Sequence, residues 1–203
     1  MASLSQLPAR IGSAALAIAM LLAISGCQNL APLPTAAWPE RRAALQAVER
    51  FQFNGQLAAA TADQGFSAAL RWQQQGKASE VSLRGPMGAG GALLRFDGAS
   101  LQVTAADGTA LQGDAAHAEL LRLLGFEPPL ASLRYWLLGV PDPAQPAEES
   151  LDGAQHLSRL RQSEWQVDYS DYVAAAGQWL PGRLALQRGT LRLKLHVSHW
   201  QLP

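Results

Sequence analysis

The sequence has one cysteine, Cys27, so it can form neither an intramolecular disulfide framework nor a multi-cysteine zinc or iron–sulfur site. Charge is scarce and balanced: 16% of residues are charged, sixteen Lys and Arg against sixteen Asp and Glu. That balance removes the bulk electrostatic argument for a nucleic-acid partner, and none is expected. The apolar run near the N-terminus, Ile11 to Ile24, spans 14 residues, whereas a membrane-spanning helix needs about 20.

Sequence motifs of chemistry are also missing. There is no G-x-S-x-G elbow, no H-E-x-x-H helix and no paired-cysteine motif, so neither enzymatic activity nor a metal is expected. Of the four histidines, His196 and His199 have the spacing of a ligand pair. In a regular strand, however, odd spacing sends two rings to opposite faces. The glycine-rich stretch Gly85 to Gly91 lacks the Lys-Ser/Thr of a phosphate loop and the helix that follows one.

What remains is a targeting segment followed by a globular chain. Arg10 and the run from Ile11 to Ile24 precede Ser25-Gly26-Cys27, the layout of a signal peptide. Ile24-Ser25-Gly26-Cys27 resembles a bacterial lipobox, in which the cysteine thiol receives a diacylglycerol. This divides the chain into a cleaved signal peptide (1–26), a lipidated cysteine with a flexible tether (27–37) and a single domain (38–203). Covalent lipid on Cys27 is the only prosthetic group expected. Gln28 after the cysteine, in place of Asp, points to the outer membrane by resemblance to enterobacterial lipoproteins.

With 48% hydrophobic residues among 203, the chain is able to bury a core. Trp38-Pro39 opens a predicted helix over 39–50. From Phe51 the apolar period becomes two, through Phe53, Gly55 and Leu57, and again over Phe66 to Trp72 after turn residues Asp63 to Gly65. Further strands are predicted around Val81 and Leu83, Leu94 and Phe96, and Leu101 to Ala105, with Asp107-Gly108 as a tight turn. Asp114 is read as the N-cap of a helix with a Leu120, Leu121, Leu124 stripe closed by Gly125. A second helix follows Pro128-Pro129 and ends at Gly139. Asp142 to Ser150 reads as a solvated loop. Strands return over 157–160, 165–169, 184–186 and 191–197. The fold class is α+β, mainly β: a curved antiparallel sheet or open barrel enclosing two helices. Six tryptophans spread over six elements argue for a large apolar interior. Met87, one large apolar residue among small ones in a hairpin loop, either projects into solvent or folds back onto the core.

Several segments then match a known family. Gly85-Pro86-Met87-Gly88, Leu133 to Pro141 (LRYWLLGVP), Trp165 to Tyr169 (WQVDY) with Tyr172, Leu180-Pro181, and Arg192 to Leu195 (RLKL) with Trp200 occur in an order and spacing that resemble the LolB family of outer-membrane lipoprotein receptors. The resemblance implies a half-open barrel with helices lidding a concave apolar face. Its partners would be a LolA-like periplasmic carrier, the acyl chains of lipoprotein cargo, and the outer-membrane bilayer, and the protein would be a monomer anchored on the periplasmic face. It also implies a membrane-targeting loop at Gly85, Pro86, Met87 and Gly88, where Met87 replaces the usual leucine. Candidate cavity-lining residues are Leu70, Trp72, Leu83, Val103, Trp136 and Leu137, each of which could equally fill the core. A structural lipoprotein and a lipopolysaccharide-handling scaffold remain as alternatives. Cys27→Ala is expected to abolish palmitate incorporation and to leave the domain off the outer membrane, because the tether holds no other long apolar segment. Retention of label in that variant would refute the lipobox assignment.

Overall fold

The computed structural model describes residues 37–61, 65–86 and 90–203. Helix α1 (Trp38–Gln46) begins with Pro39 in its first turn, where a missing N–H costs nothing. It stops earlier than the predicted 39–50, because from Arg50 onward the backbone is taken into a sheet ladder with Gln75.

The N-terminal half is a meander of β1 (Arg50–Ala60), β2 (Gly65–Gln75), β3 (Ala78–Arg84), β4 (Gly91–Phe96), β5 (Leu101–Ala105) and β6 (Ala110–Gln112). Two helices follow, α2 (Asp114–Leu124) and α3 (Leu130–Trp136). The chain then returns through β7 (Glu148–Leu151), β8 (Leu157–Gln162) and β9 (Trp165–Ser170), a small hairpin of β10 (Val173–Ala175) and β11 (Gln178–Leu180), then β12 (Arg183–Arg188) and β13 (Leu191–Gln201). Antiparallel pairing of β1 with β13 joins the halves into one 11-stranded sheet, ordered β6-β5-β4-β3-β2-β1-β13-β12-β9-β8-β7. Its terminal strands β6 and β7 do not pair with each other, so the sheet stays open, as a half barrel does.

Period-two alternation puts every second residue of the long strands on one buried face. Cross-strand register aligns them: Trp200, Phe53, Trp72, Val81, Leu94 and Val103 are successive partners across six strands. The Phe53 ring lies 4.9 Å from Trp200 and is stacked on Trp72 at 6.4 Å. α2 lies over β5 and β6, burying Ala116, Leu120 and Leu124. α3 buries Trp136 against Trp165 of β9, with centroids 6.0 Å apart.

Several local expectations are corrected. Gly113 at positive φ is the N-cap of α2, with no side-chain cap bond, and Asp114 is the first helical residue. Leu121 is not on the apolar stripe but is 54% exposed; Ala116 takes that place, one turn before Leu120. The expected solvated loop Asp142 to Ser150 holds only in its middle, where residues 143–146 are exposed: Asp142 is buried, and Glu148 to Ser150 form most of edge strand β7. β6, β7, β10 and β11, of three or four residues each, are too short to show alternation and become strands through their neighbours' hydrogen bonds. The Asp107-Gly108 turn and the left-handed Gly125 cap form as predicted. Asp63 lies outside the described residues.

β13 departs from regular alternation at one point. The register jumps from Asn54 opposite His199 to Gly55 opposite Val197, leaving Ser198 as an extra residue. Val197 and Trp200 are therefore both buried, while His196 and His199 are both exposed, which corrects the expectation of opposite faces. Gly55 makes this crossing possible, since a Cβ there would lie 2.4 Å from the His196 carbonyl oxygen. Gly55→Ala is expected to destabilise the fold by about 1–3 kcal/mol, read as a lower thermal midpoint, while Ala replacing the exposed neighbour Gln56 leaves the midpoint nearly unchanged.

Candidate functional site

The side chains that could do work are on the buried face of the open sheet, under its helical cover. Leu70 and Leu83 are direct cross-strand partners. Trp72 occupies the neighbouring row, with Val103 three strands further along it. Trp136 and Leu137 come from α3 and the turn after it, over the β8–β9 side. All six are buried, Trp136 and Val103 completely. The structure therefore brings four candidates together on one wing of the sheet and two on the other.

The two covering helices are attached by different chemistry. α3 is pinned through Gln162 at the end of β8. Its Oε1 accepts the Trp136 indole N–H at 2.8 Å and the Asp142 backbone N–H at 2.9 Å, and its Nε2 donates to the carbonyls of Asp142 and Gln145, each at 2.9 Å. Ser132 of α3 donates to the Asp142 carboxylate at 2.8 Å. Removing one member of such a buried network leaves donors unpaired, at about 1–3 kcal/mol each. Gly139, at φ +75°, closes the turn after α3 against Pro181 and the Tyr172 hydroxyl. Among the described residues α2 has no comparable pin: apolar burial holds it, an exposed His117–Glu127 contact joins it to the following loop, and Gly113 and Gly125, both at positive φ, bracket it.

Each end of the sheet has a cleft. The larger, about 1310 Å³, crosses the strand ends from β13 through β1 to β6 and is lined by Phe51, Gln74, Ser79, Leu101 and Gln112, among others. None of the six candidate cavity residues lines it. Sequence reasoning passed over these positions because lone glutamines and serines near turns look like ordinary surface residues. The smaller cleft, about 590 Å³, lies at the other end, where Trp165 and Arg188 form part of its lining and the Arg188 guanidinium sits 4.8 Å from the Trp165 ring. Gly85 and Pro86 leave β3 at this second end. Met87 and Gly88 of that loop, and Ile24, Ser25, Gly26 and Cys27, lie outside the described residues.

At the end of the sheet opposite the loop, α1 docks against the β7–β8 region. Trp38 Nε1 and Arg42 Nη1 donate to the two Glu149 carboxylate oxygens at 2.7 and 2.6 Å, and buried Arg41 donates to the Gln155 carbonyl. Beside it the His156 ring stacks on Tyr172 at 4.4 Å, and the Tyr172 hydroxyl donates to the Leu157 carbonyl at 2.7 Å. Among the described residues, no group of three or more His, Cys, Asp or Glu could hold a metal ion.

Comparison with known proteins agrees with this architecture. The family model described as "Outer membrane lipoprotein LolB" matches residues 49–200. An outer-membrane lipoprotein LolB of Nitrosococcus oceani is 35% identical over 188 residues, covering 90% of this chain and 94% of the relative. The LolB of Stutzerimonas stutzeri is 32% identical over 195 residues, covering 92% and 94%. Among solved structures, a LolA superfamily protein from Nitrosomonas europaea superposes with a TM-score of 0.54 at 12% identity, covering 83% of this chain and 94% of that one.

One buried and one partly buried tyrosine, Tyr169 and Tyr172, give the domain an alkaline limit. Burial pushes the phenols of Tyr169 and Tyr172 well above their ordinary value, so the fold holds both neutral. Their contribution to stability is complete below the unfolded pKa of about 10 and is lost as pH rises from there toward the folded values. Stability is expected to fall above about pH 10. Tyr169→Phe should flatten that fall without loss at neutral pH, because the buried Tyr169 hydroxyl has no partner among the described residues. Denaturant titrations across pH check this; a neutral-pH loss would show that the hydroxyl has a partner after all.

Proposed function

Because this chain belongs to the LolB family of outer-membrane lipoproteins, we propose that it is the receptor that accepts lipoproteins from a LolA-like periplasmic carrier and inserts them into the inner leaflet of the outer membrane. One observation carries the reading: an open antiparallel sheet presents a continuous apolar face whose cover is two short helices. Lipid attached to Cys27, after removal of residues 1–26, would anchor the 38–203 domain as a monomer on the periplasmic face, with 27–37 as its tether.

Each acyl methylene exposed to water costs ~0.8 kcal/mol, so a lipoprotein crosses an aqueous compartment only inside an apolar sleeve. Transfer breaks no bond. It needs acyl chains held more favourably here than on the carrier, and more favourably still in the bilayer. Leu70, Trp72, Leu83, Val103, Trp136 and Leu137 are the proposed acyl contacts. All six are buried in this state, so the cover must yield before chains enter. α2 is the element suited to yield, because acyl chains replace its contacts in kind, whereas they offer nothing to the Gln162 hydrogen bonds that hold α3.

The loop of Gly85, Pro86, Met87 and Gly88 is the proposed membrane contact. Burying one methionine in lipid is worth roughly 1.5–3 kcal/mol, about 10- to 150-fold in an equilibrium, which orients a tethered domain without anchoring it. In a two-stage assay, Met87→Glu is expected to keep uptake from the carrier and its thermal midpoint while delivery to liposomes falls about tenfold or more, and Met87→Leu to preserve delivery. Normal delivery by Met87→Glu would remove the membrane role of the loop. Absence of uptake by the unaltered protein would favour a structural lipoprotein whose interior stays filled with side chains.

A further inference from the structure

The outer, solvent-facing side of the sheet has a charge pattern that the neutral composition conceals. Its middle four strands, in the order β2-β1-β13-β12, contain no Asp or Glu. The outward carboxylates of the other strands are Glu80 on β3, Glu148 on β7 and Asp168 on β9, and each is paired with an arginine: Arg95 at 2.9 Å, Arg161 at 3.7 Å and Arg159 at 2.6 Å. Cations occupy the middle. Register puts Arg192 between Ala60 and Gln187, Lys194 between Ala58 and Ala185, and His196 between Gln56 and Arg183, with Arg84 in the row of Gln56, reached through Ala69. All of them alternate with the buried residues of their strands and are exposed, so they share one face. Arg183 is paired with Asp171 at 3.0 Å, but the side chains of Arg84, Arg192 and Lys194 make no ion pair among the described residues. A curved sheet meets a flat surface along its middle strands, so this acid-free strip is the part that a plane outside it touches first.

The proposed attachments of the domain to the membrane leave from opposite ends of the sheet. α1, which follows the tether, docks at one end through Arg41 and the Gln155 carbonyl, and the Gly85–Pro86 hairpin departs at the other. β1, β2 and β13 have eleven residues each, which separates the two ends by roughly 35 Å. Residues 27–37 reach about 40 Å when drawn straight and about 20 Å when relaxed. A domain standing on its hairpin would hold such a tether nearly taut, whereas a domain lying on one face of the sheet keeps both attachments at the bilayer. The inner face carries α2 and α3 and has to stay open to the carrier. The outer face is left, and its surplus cations suit the phosphates of an anionic leaflet. An acidic protein would meet the same charges, but the tether keeps a bilayer within reach at all times.

We propose that the outer face of β2-β1-β13-β12, through Arg84, Arg192 and Lys194, docks on the anionic phospholipid headgroups of the bilayer, so that the domain lies along the membrane with its helical cover toward the periplasm. This rests on the anchored-receptor reading above and adds to it an orientation and a lipid class. It explains why the charges of a nearly neutral chain are sorted, with the acid-free strands gathered at the middle of one face.

The test uses the full-length lipidated protein in liposomes, with a fluorophore on a cysteine introduced by Ala58→Cys on the outer face or by Leu121→Cys on α2, both exposed positions. Cys27, being acylated, does not take the label. The vesicles are phosphatidylcholine alone or mixed with phosphatidylglycerol, and carry a headgroup nitroxide that quenches nearby fluorophores. Quenching at 58 is expected to exceed that at 121 several-fold in the mixed vesicles, and to lose that excess in phosphatidylcholine alone or at high salt. Each basic residue at an anionic surface favours contact about fivefold, so combining Arg84→Glu, Arg192→Glu and Lys194→Glu should remove the excess while the thermal midpoint and uptake from a LolA-type carrier stay unchanged. The corresponding triple Gln variant should remove most of it, and decides the matter if the Glu variant melts lower. Equal quenching at the two positions, or an excess at 58 that persists in phosphatidylcholine or in the Gln variant, overturns the proposal. Loss of carrier uptake in variants whose quenching is unchanged also overturns it, and makes the face a protein-docking surface. Absence of uptake by the unaltered protein with the excess at 58 retained overturns the receptor reading and leaves this orientation standing. Failure of the protein to stay on the vesicles overturns the anchor and this proposal together.

Discussion

The pairing of β1 with β13 is the constraint on which the remaining architecture depends. It matches residues near positions 52–60 with residues near 192–201, so the first and last long strands of the domain must meet before either meander has a complete face. The cost of closing so long a loop rises only slowly with its length. The reward is large, since Phe53 gains Trp72 on one side and Trp200 on the other. The bulge at Ser198 sets the register of this seam, and glycine at position 55 admits it.

Once the seam forms, the sheet has more apolar face than it can cover by curling on itself, and the edge strands β6 and β7 stay apart. Both edges are short, which limits the unpaired backbone they offer to other chains. The helices α2 and α3 cover what remains. One is held by apolar burial and an exposed His117–Glu127 contact, the other by a buried network around Gln162, an asymmetry that suits the first to the displacement proposed for it.

Much of this was legible without coordinates. Period-two alternation marked the long strands and their buried faces, because a strand's side chains alternate whatever its partner is. Pro39 and Gly125 marked helix termini because their backbone preferences are local. The family segments are contiguous, so they too were readable in one dimension. Tertiary structure alone decided the rest. The β1–β13 register and its bulge put His196 and His199 on one face, against the spacing rule, because a bulge is a property of two strands together. Edge strands as short as β6 and β10 exist only through their neighbours. Asp142 became a buried anchor because Ser132 and Gln162, distant in sequence, converge on it. The larger cleft, assembled from the ends of strands spread over most of the domain, has no linear signature, since each of its residues taken singly is indistinguishable from one in an ordinary turn.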